Sequence, residues 1–181
     1  MIRPRSLTVA AALAVVLTVP AAASAKCANS DRVTAELSPA AARATIACLI
    51  NGQRARQDLN QLKAEPHLVR TARSHAADMV RRRFFAHVNP EGLGVVARAR
   101  KAGYTRGFRR YQVRENIGWR YGSNATPGRM IEVWMQSSEH RKHILGAWKH
   151  IGVAVVRGAP VSGFDSDPTA VTFTIEFGRR A

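Results

Sequence analysis

The chain has 181 residues, with 28 Lys and Arg against 12 Asp and Glu, for a formal net charge of +16. That length fits one domain with a sizeable core, and no repeat, linker or heptad pattern divides it or argues for an oligomer, so a monomer is expected. The charge favours anionic surfaces through long-range attraction, and it fits equally a solvated, Arg-rich exterior with no partner.

Arg3 and Arg5 precede an apolar run from Leu7 to Val19, and Ala23-Ser24-Ala25 supplies a small-x-small cleavage site. This pattern predicts a secretory signal peptide over residues 1–25, with Lys26 as the first mature residue. The run is too short to cross a bilayer comfortably and no other stretch comes near, so no membrane span is expected. Lys26 stands before Cys27 where a lipoprotein signal needs a small residue, which argues against a lipid anchor. A protein secreted to the extracellular space or cell envelope follows, and nucleic acid is not an expected partner.

Cys27 and Cys48 are the two cysteines of the chain. In an oxidising compartment a single bridge between them is the simple expectation, tying a polar N-terminal arm, residues 26–40, to the first helix. Ser38-Pro39 reads as an N-cap with proline at the first helical position. Ala42, Ile46, Leu49 and Ile50 then recur at helical spacing, to about Gln57, and Leu59 and Leu62 plug the core after the turn.

Glu65-Pro66 opens a second helix running to about Arg83, with Leu68, Ala72, Ala76 and Met79 on one face. His75 lies beside that face and reads as a structural or surface histidine, as do His67 and His150. Phe84-Phe85 should anchor by burial the loop that carries His87, and Asn89-Pro90-Glu91-Gly92 is a turn signal behind it. A short helix over 95–102 should end at Gly103. From Tyr104 to Tyr121, five arginines (Arg106, Arg109, Arg110, Arg114, Arg120) interleave with aromatics. Such a mixture can stack on bases, but an exposed loop beside a strand is the better reading.

Thr126-Pro127 caps the helix bearing Met130, Ile131, Trp134 and Met135. Ser137, Ser138 and Glu139 then break the apolar period and set His140 at a cleft edge. Residues 151–156 and 171–177 form an antiparallel hairpin around a long Gly/Pro/Asp-rich loop. Helices first and a closing hairpin last indicate an α+β fold.

Six motifs follow one another in order: Cys48-Leu49-Ile50-Asn51 with Arg54; Phe85-Ala86-His87 with Pro90 and Gly92; Glu115-Asn116-Ile117; Trp134-Met135-Gln136-Ser137-Ser138-Glu139-His140-Arg141 with Ile144-Leu145; Gly152-Val153; and Phe177-Gly178. Together, over about residues 46–178, they resemble the CAP superfamily of cysteine-rich secretory proteins, antigen 5 and pathogenesis-related protein 1, in its bacterial secreted branch. The resemblance implies a three-layer α-β-α sandwich with a central antiparallel sheet, and makes residues 41–181 a CAP domain. Two departures stand out: Asp58 where the family has a helix-ending glycine, and Arg114 where it has the glycine before the glutamate.

CAP proteins often gather two histidines and two glutamates in an open cleft, and some bind zinc there. By motif, His87 matches the first histidine, Glu115 the glutamate of Glu-Asn-Ile, and His140 the second histidine. The second glutamate falls on Ser137, which removes one acid/base candidate. Asn116, Ser137 and Glu139 would complete the ligand cleft. Zinc is the one cofactor this set points to, because two imidazoles, a carboxylate and water make an open zinc set. Spacing alone does not establish a metal, since the ligands come from three distant segments and there is no His-Glu-x-x-His. The competing reading pairs Glu115 with His87 or His140 and uses Asn116 to tie loop backbone. An Arg114 folded toward Glu115 would make that carboxylate a poorer ligand.

The favoured function is a non-catalytic extracellular binding module for a lipid, sterol, glycan or acidic polymer, with no catalytic residue. A zinc-dependent hydrolase and a basic envelope-adhesive protein are the alternatives.

Overall fold

The computed structural model describes residues 27–164 and 166–181; the signal peptide expected over 1–25, and Lys26, lie outside the described residues. Three helices start as the sequence dictates, each with proline in the first turn. The Ser38 hydroxyl accepts from the Ala41 N–H to cap α1 (Pro39–Ala55). The Glu65 carboxylate accepts from Leu68 N–H to cap α2 (Pro66–Arg82), and the Thr126 hydroxyl from Arg129 N–H to cap α4 (Pro127–Gln136). Each cap satisfies an N–H that a helix start would otherwise orphan. Between them lie β1 (Lys63–Ala64), α3 (Val95–Lys101) and β2 (Tyr111–Arg120), and α5 (Ser138–Ile144), β3 (His150–Arg157) and β4 (Val171–Arg180) follow. Asp58 adopts the left-handed conformation (φ 52°) that glycine would take more cheaply.

The four strands run in the order β1-β3-β4-β2. β4 pairs antiparallel with both β2 and β3, and only the two-residue β1 is parallel to its neighbour. Strand alternation divides β4 into two faces. Val171, Phe173, Ile175 and Phe177 join Ile151 and Val153 of β3, Ile46 and Ile50 of α1, Ile131 and Trp134 of α4 and Ile144 of α5 in the main core. Thr172, Thr174, Glu176 and Gly178 face the other way, toward α2. There Ala72 and Ala76 meet Ala154, while Leu68, Ala99, Tyr104 and Val113 form a second apolar cluster. The result is a three-layer α-β-α sandwich. At Gly152 a Cβ would fall 2.2 Å from the Leu68 carbonyl carbon, so glycine lets α2 lie directly on the sheet.

Cys27 and Cys48 form a disulfide. The Thr45 hydroxyl reinforces it by donating to the Ala28 carbonyl at 2.9 Å. Arg54 is buried and donates to the carbonyls of Asn60, Ile144 and Gly146, which closes the C-terminal end of α5 with a cation. No helix among the described residues is long and apolar enough to cross a membrane.

Two local expectations are corrected. Most of the Arg-rich stretch, read as a loop beside a strand, is itself the ten-residue β2 at the sheet edge. Its buried positions include Glu115 and Asn116 rather than apolar residues alone, which masks the alternation. Nor do Phe84 and Phe85 anchor the His87 loop by burial: Phe85 is 43% exposed, and Phe84 is half-buried against His75. Arg83 turns left-handed (φ 56°) at the end of α2 and swings the chain outward. The loop is held instead by Arg98, which donates to the carbonyls of His87 and Leu93, both at 2.7 Å.

Candidate functional site

Among the described residues β2 has no strand on its outer side, so side chains from both sheet faces can meet over that edge. Successive residues of a strand point to opposite faces. Glu115 therefore faces the α2 side, directly across from Glu176, while Asn116 faces the α4–α5 side, across from Ile175.

On the first side, Glu115 is almost fully buried and bound at both oxygens. Oε2 accepts from Arg98 Nη2 at 2.6 Å, and Oε1 accepts from His87 Nδ1 at 2.8 Å. The buried His75 lies 3.8 Å from Oε1 and donates Nε2–H to the Ala86 carbonyl at 3.0 Å. Burial alone would raise the Glu115 carboxyl, but the His87 hydrogen bond and the charges of Arg98 and His75 hold it below the usual carboxylate range. Glu176 is driven the opposite way, well above that range, by complete burial and then by the charge of Glu115. Glu115 is thus the member of the pair that favours the negative charge, set against Arg98, and Glu176 the member that favours its proton. Burial holds His75 below the usual histidine value, against the opposing pull of the Glu115 charge.

The His87 side chain is 55% exposed. Its Nδ1–H is spent on Glu115, so Nε2 is the atom left for a ligand.

On the other side, the fully buried Asn116 donates Nδ2–H to the His140 carbonyl at 3.1 Å and accepts from His143 Nδ1 at 2.9 Å. It therefore acts as a tie for α5. His140 Nδ1 and the Ser137 hydroxyl share a hydrogen bond of 2.8 Å, and the His140 ring packs on Trp134. Burial, then the charge of His87, lowers His140 below the usual value. Glu139 is exposed on α5. Arg114 is exposed and donates to the Val113 carbonyl, so Arg98 is the cation that neutralises Glu115.

The arrangement suits a metal ion only in part. His87 and His140 each keep Nε2 for a ligand, while Glu115 stands behind His87 as the carboxylate that fixes its ring. Among the described residues no group of three or more His, Cys, Asp and Glu side chains is arranged to hold a metal ion.

Four contributors escaped the sequence reading of the site: Arg98, Glu176, His75 and His143. Glu176 carried a signal, being one polar face of a strand with Thr172 and Thr174. His143, three residues after His140, shares its helix face. Arg98 is flanked by Arg100 and Lys101 and looks like any other surface cation of α3.

The model of the cysteine-rich secretory protein family, CAP, matches residues 48–177. The protein YkwD of Bacillus subtilis (strain 168) is 30% identical over 115 residues, covering 62% of this chain and 42% of YkwD. An extracellular protein containing a SCP domain from Bacillus anthracis str. Ames superposes with a TM-score of 0.63 at 22% identity, over 78% of this chain and 41% of that one. An outer surface protein from Borrelia burgdorferi gives 0.61 at 20% identity, over 75% and 90% of the two chains. A cysteine-rich secretory protein from Staphylococcus aureus subsp. aureus Mu50 gives 0.54 at 16% identity, over 78% and 40%. At these identities the structural likeness speaks for the fold. The chain spans about two fifths of the length of YkwD and of the Bacillus anthracis protein.

Proposed function

Because the chain belongs to the cysteine-rich secretory protein (CAP) family, we propose that it works outside the cell or in the cell envelope as a binding module without turnover, taking its ligand at the cleft between His87 and His140. The extracellular and outer-surface descriptions of the Bacillus anthracis and Borrelia burgdorferi proteins support the location.

The state of Glu115 carries the non-catalytic reading. A general base needs a lone pair within reach of the proton it takes. Both oxygens of Glu115 are bound to Arg98 and His87, and its side chain is 1% exposed. Ser137 and His140 form the other pair that chemistry could use. Glu139 acts on His140 by charge alone, from an exposed position, and does not orient its ring as a triad acid would.

What the cleft offers is two imidazole edges and a hydroxyl. That polar lining suits the hydroxyl or anionic groups of an envelope glycan better than a lipid or sterol. A zinc ion taken up there would be held by Nε2 of His87 and of His140, with Glu115 fixing the His87 ring, and would supply a Lewis-acid contact for a ligand oxygen.

Calorimetric titration of zinc into oxidised residues 26–181, with His87→Ala and His140→Ala alongside, tests the cleft. Zinc binding that is lost in both variants, without hydrolysis of ester, amide or glycosidic probes by the loaded protein, is the expected result. Zinc-dependent hydrolysis abolished by Glu115→Gln would overturn the non-catalytic reading.

A further inference from the structure

The N-terminal end of β2, the C-terminal end of β4 and the turn before β3 enclose a concavity of about 730 Å³ apart from the imidazole cleft, lined by Arg109, Arg110, Lys149, Arg179 and Arg180 together with Tyr111, Gln112 and Ala181. Among the described residues no Asp or Glu side chain lines it. Of the five cations, Arg180 is turned inward: it pairs with Glu65, donates to the Tyr104 carbonyl, and lies over the rings of Tyr104 and Phe108 at 4.5 Å each. Arg109, Arg110, Lys149 and Arg179 make no ion pair among the described residues.

Their placement is fixed by the sheet. Gln112 is the cross-strand partner of Arg179 and accepts from its Nε at 3.0 Å, which holds that guanidinium with its outer fork available. Arg114 pairs with Phe177, so it is the diagonal neighbour of Arg179 on the same face, about 7–8 Å away. Arg114 is exposed and continues the cationic surface along the edge strand. A row of separated, unpaired guanidinium forks engages successive oxyanions better than one compact ion, because each fork takes its own phosphate or carboxylate in a bidentate contact.

We propose that this concavity is a binding site for a linear anionic polymer bearing phosphate or carboxylate groups, which seats one end of the polymer against Arg109, Arg110, Lys149 and Arg179 and runs it past Arg114. The site is independent of the imidazole cleft and of any metal there.

The test is calorimetry of the oxidised protein with linear inorganic polyphosphate and with polygalacturonate, with orthophosphate as the short control. On the scale of counterion release from a single-stranded polyanion, the four contacts of the concavity weaken binding roughly 50-fold between 50 and 200 mM salt. Arg109→Gln/Arg179→Gln should lower polymer affinity about tenfold and flatten that salt dependence. Arg56→Gln/Arg73→Gln, with the same charge change at exposed positions just past α1 and on α2, should stay within about twofold. His87→Ala/His140→Ala should bind the polymer as the parent does. Preference for polyphosphate assigns the phosphate, and preference for polygalacturonate the carboxylate. Equal losses in the two arginine pairs would reduce the effect to net charge and overturn the site. So would orthophosphate binding as tightly as the polymers, or neither polymer binding at low salt. Thermal melts of the two arginine pairs that match the parent keep these readings free of folding defects.

Discussion

Replacing Arg98 by Met should remove the cation on which the buried carboxyl pair depends while keeping much of the apolar stem that packs in α3. Glu115 would then stand buried beside Glu176 with no guanidinium, and the carbonyls of His87 and Leu93 would each lose a donor. Breaking a buried ion pair from one side costs about 3–5 kcal/mol. That is a large part of the roughly 5–15 kcal/mol that holds a domain together. The pH dependence identifies the cause. Glu115 has a folded value below its unfolded one, so it contributes stability that is complete above the unfolded value and lost as pH falls through the folded value. Arg98 is one of the causes of that depression. The deficit of Arg98→Met should therefore be largest near neutrality and shrink in acid, where Glu115 is protonated with or without its partner. Urea unfolding of the parent, Arg98→Met, Glu115→Gln and the double variant, at about pH 7.5 and again in acid below the usual carboxylate range, closes a double-mutant cycle. Coupling of about 2 kcal/mol or more at the higher pH, fading at the lower, is expected. Additive losses that do not change with pH would refute the ion-pair account.

Glu176→Gln should raise the urea midpoint at neutral pH and leave it unchanged in acid. A carboxyl whose folded value lies above its unfolded one costs stability as pH rises between the two, and the amide cannot ionise. Cys27→Ser/Cys48→Ser should lose about 3 kcal/mol by chain entropy, read as a fall of about 10 °C in Tm for a domain of this size. Arg54→Met should cost about 3 kcal/mol in denaturant unfolding, since it strips donors from two carbonyls at the end of α5 and from that of Asn60 after α1. Arg54→Lys should recover only part of that, because an ammonium does not reproduce the planar fork.

Much of the scaffold could be read from the chain because local chemistry and tertiary role agree there. Ser38-Pro39, Glu65-Pro66 and Thr126-Pro127 cap helices on their own account, and the closing hairpin alternates plainly because its outer residues are apolar on one face and threonine on the other. β2 resisted because its two buried polar residues, Glu115 and Asn116, serve the site and not the core. At the candidate site, motif resemblance marked His87, Glu115 and His140. Their roles were not legible, since these depend on register: only the pairing of Glu115 with Glu176 reveals two carboxyls competing for one charge. Arg98 could be found only once α3 was seen to lie against β2, because nothing local separates a buried arginine from its exposed neighbours.

That register also makes a separable prediction about the proposed cleft, whose two walls would hang on adjacent residues of one strand. Glu115 holds the His87 wall from the α2 face, and Asn116 holds the His140 wall from the α5 face, through the His140 carbonyl and the His143 ring. Because the two side chains point away from each other, each tie can be cut alone. Asn116→Ala should move the ring signals of His140 and His143 in proton–carbon NMR while leaving His87 close to its parent position. Glu115→Gln should do the reverse, since the amide accepts from His87 but no longer holds it by charge. A strand that transmitted strain along its length would shift all three histidines in both variants, and that outcome would sink the picture of two independently hung walls. If instead the walls move separately, the distance between the His87 and His140 rings is set by the rigidity of the Glu115-Asn116 backbone, paired to β4 at Glu176 and Ile175. The width of the cleft is then a property of the sheet rather than of the loops that line it.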